Sequence, residues 1–312
     1  MKYVSKKGLD MSVFSLGTVQ LGMDYGFGEF STKPKKEFAF SLLDRAIERG
    51  VNNIDTANNY GDSERVIGEW LGTVDKEKRP LVITKIGPLD HSSPEALRAD
   101  MLAQTEACMK TLGCSQIDIL MDHYFEDYEQ SPETVSAVFA EMKEKGMIRY
   151  SAISVYSRHD YKLIAKAGCF DAIQIPLNLF DWTQLENGGI GALADAGMMI
   201  FARSVFLQGV VFMKPEELDP RMEFCRPYLE KFHALCEEFK LSPPVLAVSF
   251  VLSVPGVTNV VLGCQTPEQV DSNCDMMDKV RKLTDAEMAK IREAFVDIDP
   301  RVINPGSWFN HT

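Results

Sequence analysis

Short runs of apolar and β-branched residues alternate with longer segments of helical period along the whole chain. The runs have the length of buried strands. Eight of them predict strands, at residues 12–16, 51–55, 81–85, 117–121, 148–154, 172–175, 199–203 and 259–262. Apolar residues at i, i+3 and i+4 spacing predict amphipathic helices between them. These helices are expected at residues 36–49, 94–112, 132–145, 158–167 and 268–279.

Eight strands that alternate with helices favour a parallel sheet built from βαβ units. Eight such units in 312 residues fit an α/β fold of the closed (β/α)8 TIM barrel type, as a single domain over residues 1–312. An open dinucleotide-binding sheet requires a G-x-G-x-x-G turn after its first strand, and residues 17–22 read GTVQLG instead. Residues 1–16 contain KKGLD between two short β runs, which predicts a short N-terminal β-hairpin that caps the barrel.

Charge and cysteine usage narrow the class of protein. The chain has 33 Lys and Arg against 45 Asp and Glu, a formal net charge of −12. An acidic surface weighs against nucleic-acid partners and anionic membranes. The seven cysteines include no C-x-x-C pair, so a disulfide framework and a zinc site are not expected, and reduced thiols suit a cytoplasmic location. No apolar stretch has the length of a signal peptide or membrane span.

Polar residues follow the strands at the end where a (β/α)8 barrel carries its chemistry. The second strand ends in Asp55 with Tyr60 in its loop, the third ends in Lys85, and His123 follows the fourth. Taken singly, such residues are usually turn formers, solvated cations or packing aromatics. Together they place an acid, a phenol, an ammonium and an imidazole on one rim, and a buried Lys85 would require a partner such as Asp55.

This combination suits proton transfer to a carbonyl oxygen. A phenol is a weak acid at neutral pH, and a neighbouring ammonium stabilises the phenolate left behind. We therefore interpret Tyr60 as the general acid and Lys85, held by Asp55, as its electrostatic partner. His123 would orient the carbonyl and stabilise charge on its oxygen. No side chain can supply a hydride, so a nicotinamide cofactor is required.

Three segments resemble the aldo-keto reductase family, and the resemblance covers nearly the whole chain. Residues 53–64 (NIDTANNYGDSE), 83–85 (ITK) and 118–123 (DILMDH) match, in order, the family segments that hold its catalytic residues. The resemblance implies a barrel enzyme that reduces aldehydes or ketones, sugar-like ones included. It assigns the family's catalytic tetrad to Asp55, Tyr60, Lys85 and His123.

The resemblance also implies cofactor contacts around the barrel mouth. They are Gly17, Thr18, Asp55, Ser154, Gln174, Arg203, Ser204, Leu207, Gln208, Gly209, Gly263, Gln265, Gln269 and Asn273. Val155 departs from the usual Asn, and Arg203 replaces an aromatic residue that covers the nicotinamide, although a guanidinium can also lie flat on a ring. The family favours NADP(H). The last loop has glutamines where basic residues usually grip the 2′-phosphate, so NAD(H) is the alternative.

Aromatic side chains in the loops after the strands are candidates for contact with a small carbonyl or alcohol substrate, and the same rings would equally serve to pack the loops. The predicted substrate contacts are Tyr25, Tyr60, His123, Tyr124 and Trp182.

Other functions stay open at this point. The same chemistry would serve an NAD-dependent sugar or alcohol dehydrogenase working in the oxidative direction, and the fold would also serve a non-catalytic cofactor-binding regulatory subunit. A metal enzyme would need clustered ligands at strand ends, where only His123, Asp122 and Asp55 come near, and no metal is expected. The choice between monomer and homo-oligomer is left open.

Overall fold

Eight parallel strands close into a barrel surrounded by helices. The computed structural model describes residues 1–24 and 32–304. The strands are β1 (Tyr3–Lys6), β2 (Leu9–Ser12), β3 (Phe14–Gly17), β4 (Asn53–Asp55), β5 (Leu81–Ile86), β6 (Ile117–Asp122), β7 (Ile148–Ser154), β8 (Ala172–Pro176), β9 (Met199–Arg203) and β10 (Val257–Gly263). The helices are α1 (Val19–Gly22), α2 (Lys36–Glu48), α3 (Ser63–Leu71), α4 (Pro94–Leu112), α5 (Phe125–Gln130), α6 (Pro132–Glu144), α7 (Tyr161–Ala167), α8 (Thr183–Glu186), α9 (Gly189–Asp195), α10 (Arg226–Phe239), α11 (Pro243–Ser253), α12 (Pro267–Lys279) and α13 (Asp285–Phe295).

The strand order confirms the predicted (β/α)8 barrel. Around the ring it is β10-β3-β4-β5-β6-β7-β8-β9, and every neighbouring pair is parallel. Each of the eight predicted strands corresponds to one member of this ring. Because all eight run the same way, their carboxyl ends form one rim, and the polar residues that follow them meet there.

The N-terminal hairpin is also confirmed, and it fills the opposite end of the barrel. Strands β1 and β2 pair antiparallel around a turn at Lys7 and Gly8. Leu9 and Met11 of β2 belong to a buried cluster inside the barrel with Ile119 and Phe201. Two apolar side chains removed from water in this way contribute about 1.5–3 kcal/mol each. The hairpin therefore closes the amino end of the barrel and leaves the carboxyl rim as its mouth.

Several helix ends carry capping residues. The Ser93 hydroxyl accepts a hydrogen bond from the Ala96 amide at the start of α4, and the Thr266 hydroxyl does the same for Gln269 at the start of α12. Helix α4 ends at Gly113 with a φ of 64°, the left-handed region that favours glycine. These caps fix the residues at which the helices begin and end.

The structure differs from the predicted elements in a few places. The predicted strand 12–16 is divided between β2 and β3, because the chain turns at Val13 from the hairpin into the barrel. The predicted helix 158–167 begins at Tyr161, because the Asp160 side chain accepts from the next amides and caps it there. Eight helices lie outside the predicted helical segments: α1, α3, α5, α8, α9, α10, α11 and α13. Helix α11 is apolar on nearly every side and buried, so it lacks an amphipathic period.

None of the helices within the described ranges is both long enough and apolar enough to cross a membrane.

Candidate active site

The carboxyl ends of β4 and β5 carry a buried ion pair. Lys85 Nζ lies 2.8 Å from Asp55 Oδ1, and the two side chains are 0% and 4% exposed. The same ammonium donates to the Thr56 carbonyl at 2.8 Å. Burial by itself lowers the pKa of Lys85, but the nearby charges of Asp55 and Tyr60 and the hydrogen bond to Asp55 raise the pKa above its ordinary value. Lys85 is therefore an ammonium at neutral pH.

The Asp55 carboxylate is held from two sides of the barrel. Gln174 Nε2, on the opposite strand β8, donates to Asp55 Oδ2 at 2.7 Å. The amide and hydroxyl of Thr18 both donate to the Asp55 carbonyl, at 3.0 Å and 2.8 Å. Both oxygens of the carboxylate are thus occupied, one by the ammonium and one by an amide. The contact between Gln174 and Asp55 was not predicted, because no sequence pattern relates residues on opposite strands.

Tyr60 lies in the loop after β4, partly buried beside this ion pair. Lys85 Nζ is 5.0 Å from the centroid of the phenol ring. The loop is fixed by a close approach at Gly22, where an added Cβ would lie 1.7 Å from the Tyr60 carbonyl oxygen. Ser63 Oγ donates to the Thr18 carbonyl at 2.9 Å and ties the start of α3 to the end of β3. The phenol is therefore positioned next to a permanent cation.

His123 completes the group at the end of β6. Its ring centroid lies 5.7 Å from that of Tyr60 in an edge-on arrangement. Burial, followed by the charges of Lys85 and Arg203, lowers the pKa of His123 from 6.5 to about 3. Its Nδ1 is buried and has no partner among the described residues. Because a buried N–H without a partner costs more than an idle lone pair, we assign the proton of this neutral imidazole to Nε2.

The lowered pKa of His123 makes a prediction about stability at acidic pH. Below pH 6.5 the unfolded chain binds a proton at this residue, and the folded protein does not until about pH 3, so stability falls as the pH falls through that window. The slope is about 1.4 kcal/mol per pH unit. Between pH 7 and pH 5 we expect the wild type to lose about 2 kcal/mol more stability than His123→Gln, measured by urea unfolding.

A second histidine supplies the control for this experiment. His233 Nε2 contacts the Met213 carbonyl, away from the site, so His233→Gln should keep the wild-type difference between the two pH values. Equal losses of stability in His123→Gln and the wild type would show that His123 is not held neutral.

The predicted cofactor contacts are distributed along the rim from β3 to β10. Gly17 is in register with Asp55 on one side and with Gly263 on the other. Ser154 is in register with Gln174. The rim next to the tetrad therefore offers hydroxyl and amide groups on adjoining strands, the groups that a carboxamide pairs with.

The loop after β9 has a backbone suited to an anion. Ser204, Leu207 and Gln208 have φ values of 59°, 46° and 52°, and Gly209 has a φ of 98°. Among the described residues only five positions other than glycine have positive φ, and three of them fall in this loop. Such strain concentrates at functional sites, and consecutive turns of this kind point amide N–H groups into a concavity that binds phosphates.

The loop after β10 contains polar atoms without partners. Both side-chain atoms of the Gln265 amide are buried and unpaired within the described chain. The Gln265 backbone amide donates to Gln269 Oε1 at 2.7 Å, and Asn273 Nδ2 donates to Cys264 Sγ at 3.2 Å. Buried amide atoms without partners are costly, so a ligand with hydroxyl groups fits this loop. With the loop after β9, the residues present fit a dinucleotide.

Arg203 stands at the end of β9, partly buried on the mouth. Its guanidinium donates to the Val155 carbonyl at 3.0 Å and to Ser204 Oγ at 3.3 Å. Its central carbon lies 4.7 Å from the centroid of the Tyr156 ring. Tyr156 was not predicted, although an aromatic residue two positions after the β7 strand end was a usable signal. The arginine is thus fixed with its charge near the tetrad.

The predicted substrate contacts differ in where their side chains lie. Tyr124 lies on the mouth, where its hydroxyl accepts from Asn59 Nδ2 at 3.0 Å and its ring lies 5.2 Å from His123. Trp182 is buried against Phe250, and its indole N–H donates to the Leu179 carbonyl, so its contacts are those of a packing residue. Tyr25 lies outside the described residues.

Carboxylate, thiol and imidazole groups do not gather into a metal site in the part of the chain that the structure describes.

Comparison with known proteins places the chain among oxidoreductases. The profile described as the Aldo/keto reductase family matches residues 14–295. An uncharacterized oxidoreductase of Bacillus subtilis (strain 168) is 27% identical, over 89% of this chain and 94% of that protein. The NADH-specific methylglyoxal reductase of Escherichia coli (strain K12) is 24% identical, over 91% of this chain and 95% of that protein.

A solved structure shares the fold. The holo form of an aldo-keto reductase from Bacillus halodurans superposes with a TM-score of 0.77 at 19% identity, covering 97% of this chain and 99% of that one. The family profile extends from the first barrel strand to the last helix. The chain therefore belongs to the aldo/keto reductase family.

Proposed function

We propose that the protein reduces aldehydes or ketones to alcohols with NAD(H), and that Tyr60 is the proton donor. One observation carries this proposal: the buried pair of Asp55 and Lys85 lies against the Tyr60 ring, with neutral His123 edge-on to it. A bound nicotinamide supplies the hydride, which no side chain can donate.

The side chains divide the remaining chemistry among them. His123 Nε2–H donates to the carbonyl oxygen and orients it. As the carbonyl carbon gains the hydride, its oxygen gains negative charge and takes the proton from the Tyr60 hydroxyl. The resulting phenolate is stabilised by the Lys85 ammonium. Asp55 and Gln174 keep that ammonium in place, so they are positioning residues.

A spectroscopic assay tests the proposal directly. The loss of NADH absorbance is followed with a panel of aliphatic, aromatic and sugar-like aldehydes and ketones, and turnover of one or more of them is expected. A protein that binds NADH but turns over no carbonyl would instead support the regulatory-subunit alternative.

Charges around the start of α12 favour NAD(H) over NADP(H). Exposed Glu268 lies in the first turn of this helix. Two arginines that contact α12 are already occupied: Arg45 of α2 and Arg49, the residue after α2, share Asp271, and Arg49 also binds Asp275 at 2.7 Å. Gln269 Oε1 is used inside the loop. Residues 263–275 contain no Lys or Arg, so the loop itself offers a 2′-phosphate no basic side chain, whereas a ribose hydroxyl requires none.

The charges around the start of α12 predict a cofactor preference that binding can measure. We expect NADH to bind about tenfold more tightly than NADPH, because a 2′-phosphate at this helix start would meet the Glu268 carboxylate, and a like-charge contact costs on the order of 1 kcal/mol or more. Glu268→Lys should reduce the ratio of the NADPH dissociation constant to the NADH dissociation constant by about tenfold. Glu293→Lys, the same charge change on the exposed face of α13, should leave the ratio unchanged. Tighter binding of NADPH by the wild type would refute the preference.

A further inference from the structure

The Arg203 guanidinium carries an uncompensated positive charge at the barrel mouth. Two of its N–H groups donate to protein oxygens, and neither acceptor is charged. The other cations of this region have carboxylates: Lys85 has Asp55, and Arg158 has Glu126 at 2.8 Å. No described carboxylate forms an ion pair with Arg203.

The Arg203 guanidinium is also held in place, and its charge affects His123 on the other side of the barrel mouth. The Tyr156 ring covers one side of the guanidinium, a contact that stabilises the cation. After burial and Lys85, the charge of Arg203 is a cause of the lowered pKa of His123. Arg203 therefore exerts its field on the place where the carbonyl and the hydride donor must meet.

We propose that Arg203 makes the site select the reduced cofactor over the oxidised one, and so fits the enzyme to carbonyl reduction. This inference rests on the proposed function. A hydride donor must reach a carbonyl held by Tyr60 and His123, so its ring lies in the same mouth as Arg203. The reduced nicotinamide ring is neutral and the oxidised ring carries one positive charge. The guanidinium therefore repels only the oxidised state.

This selectivity would affect which cofactor state occupies the site and how readily the oxidised state is released. Weak binding of the oxidised cofactor lets it leave after turnover and lets the reduced form enter when both are present. The same charge opposes the positive charge that grows on the ring as the hydride departs, so Arg203 is not expected to accelerate the chemical step. In the oxidative direction the same selectivity would leave the product, NADH, bound in the site. Arg203 is thus a specificity residue that favours reductive turnover when both cofactor states are present.

Dissociation constants of NAD+ and NADH, measured by calorimetric titration, test the inference without any turnover. In the wild type we expect NADH to bind more tightly. Arg203→Gln should lower the ratio of the NAD+ constant to the NADH constant by about tenfold, mainly through tighter NAD+ binding. Arg203→Lys should keep most of the ratio, since it keeps the charge. Raising the salt concentration should reduce the wild-type ratio more than the Arg203→Gln ratio.

Arg158→Gln is the matched control. Arg158 also lies over the Tyr156 ring, at 5.0 Å from its centroid, but it is paired with Glu126, so its removal should leave the ratio unchanged. Thermal unfolding verifies that each variant is folded, and Arg203→Met serves as a second neutral variant.

The remaining outcomes separate the two proposals. A ratio that Arg203→Gln leaves unchanged, or equal weakening of both cofactor states, overturns the selective role of Arg203 and leaves the proposed reductase intact. Binding of neither NAD+ nor NADH by the wild type overturns both proposals. An unchanged ratio together with lost binding of benzoate to the NADH complex would mean that Arg203 holds an anionic substrate instead.

Discussion

Replacing Tyr60 with phenylalanine is expected to lower kcat by about 10²- to 10⁴-fold, the range of a lost general acid. The variant removes one hydroxyl and keeps the ring beside Lys85, 5.0 Å from its ammonium in the wild type. The carbonyl oxygen would then develop negative charge with no proton donor within the tetrad except neutral His123. Cofactor binding should stay near the wild-type value, because the loops after β9 and β10 are untouched. Steady-state kinetics and an NADH titration measure the two effects.

A second phenol on the mouth provides the control for Tyr60→Phe. The Tyr124 hydroxyl accepts from Asn59 and its ring lies beside His123, so Tyr124→Phe removes a hydroxyl from the same region. It should alter kcat far less. Undiminished turnover by Tyr60→Phe would remove Tyr60 from the proton-transfer role, whatever the Tyr124 variant does.

Lys85→Met is expected to destabilise the fold by about 3–5 kcal/mol, the cost of leaving one partner of a buried ion pair alone. Asp55 would keep the Gln174 amide but lose the ammonium 2.8 Å away. The double variant Asp55→Asn with Lys85→Met should recover much of that stability, because no unpaired charge remains buried. Activity should stay low in both, since neither can stabilise the Tyr60 phenolate. Urea unfolding and kinetics follow the two quantities separately.

An exposed pair of the same length isolates the effect of burial. Lys78 Nζ also lies 2.8 Å from a carboxylate, that of Asp75, but both side chains are about 70% exposed. Lys78→Met should leave the unfolding free energy nearly unchanged. A Lys85→Met protein as stable as the wild type would contradict the view that Asp55 requires a buried cationic partner.

The barrel can be predicted well from the sequence because its strands and helices are marked by patterns within short segments of the chain. Strands β7 and β9 have the predicted ends, as does helix α4, since each is bounded by a composition change or a cap. Helix α11 lies outside the predicted segments because burial on nearly every side removes its periodicity. The four proposed catalytic positions are predicted from strand ends and motif spacing, and the structure brings these side chains together.

Contacts between distant side chains are what the sequence does not predict. Gln174 donates to Asp55 across the barrel, and Tyr156, in the loop after β7, supports Arg203 at the end of β9. Each depends on register and rotamer, which three-dimensional packing decides. The same holds for the buried, unpaired amide of Gln265.

Barrel closure has a consequence for how the chain is made. The first barrel strand pairs with the last, so that Gly17 meets Gly263, and this contact spans most of the chain. A nascent chain that has not yet emerged through β10 exposes the open edges of both β3 and β9, where other chains can add. Contacts so distant in sequence form late and slowly. Fragments that stop short of residue 263 should therefore aggregate, and the carboxyl rim should form only after residue 263 has left the ribosome.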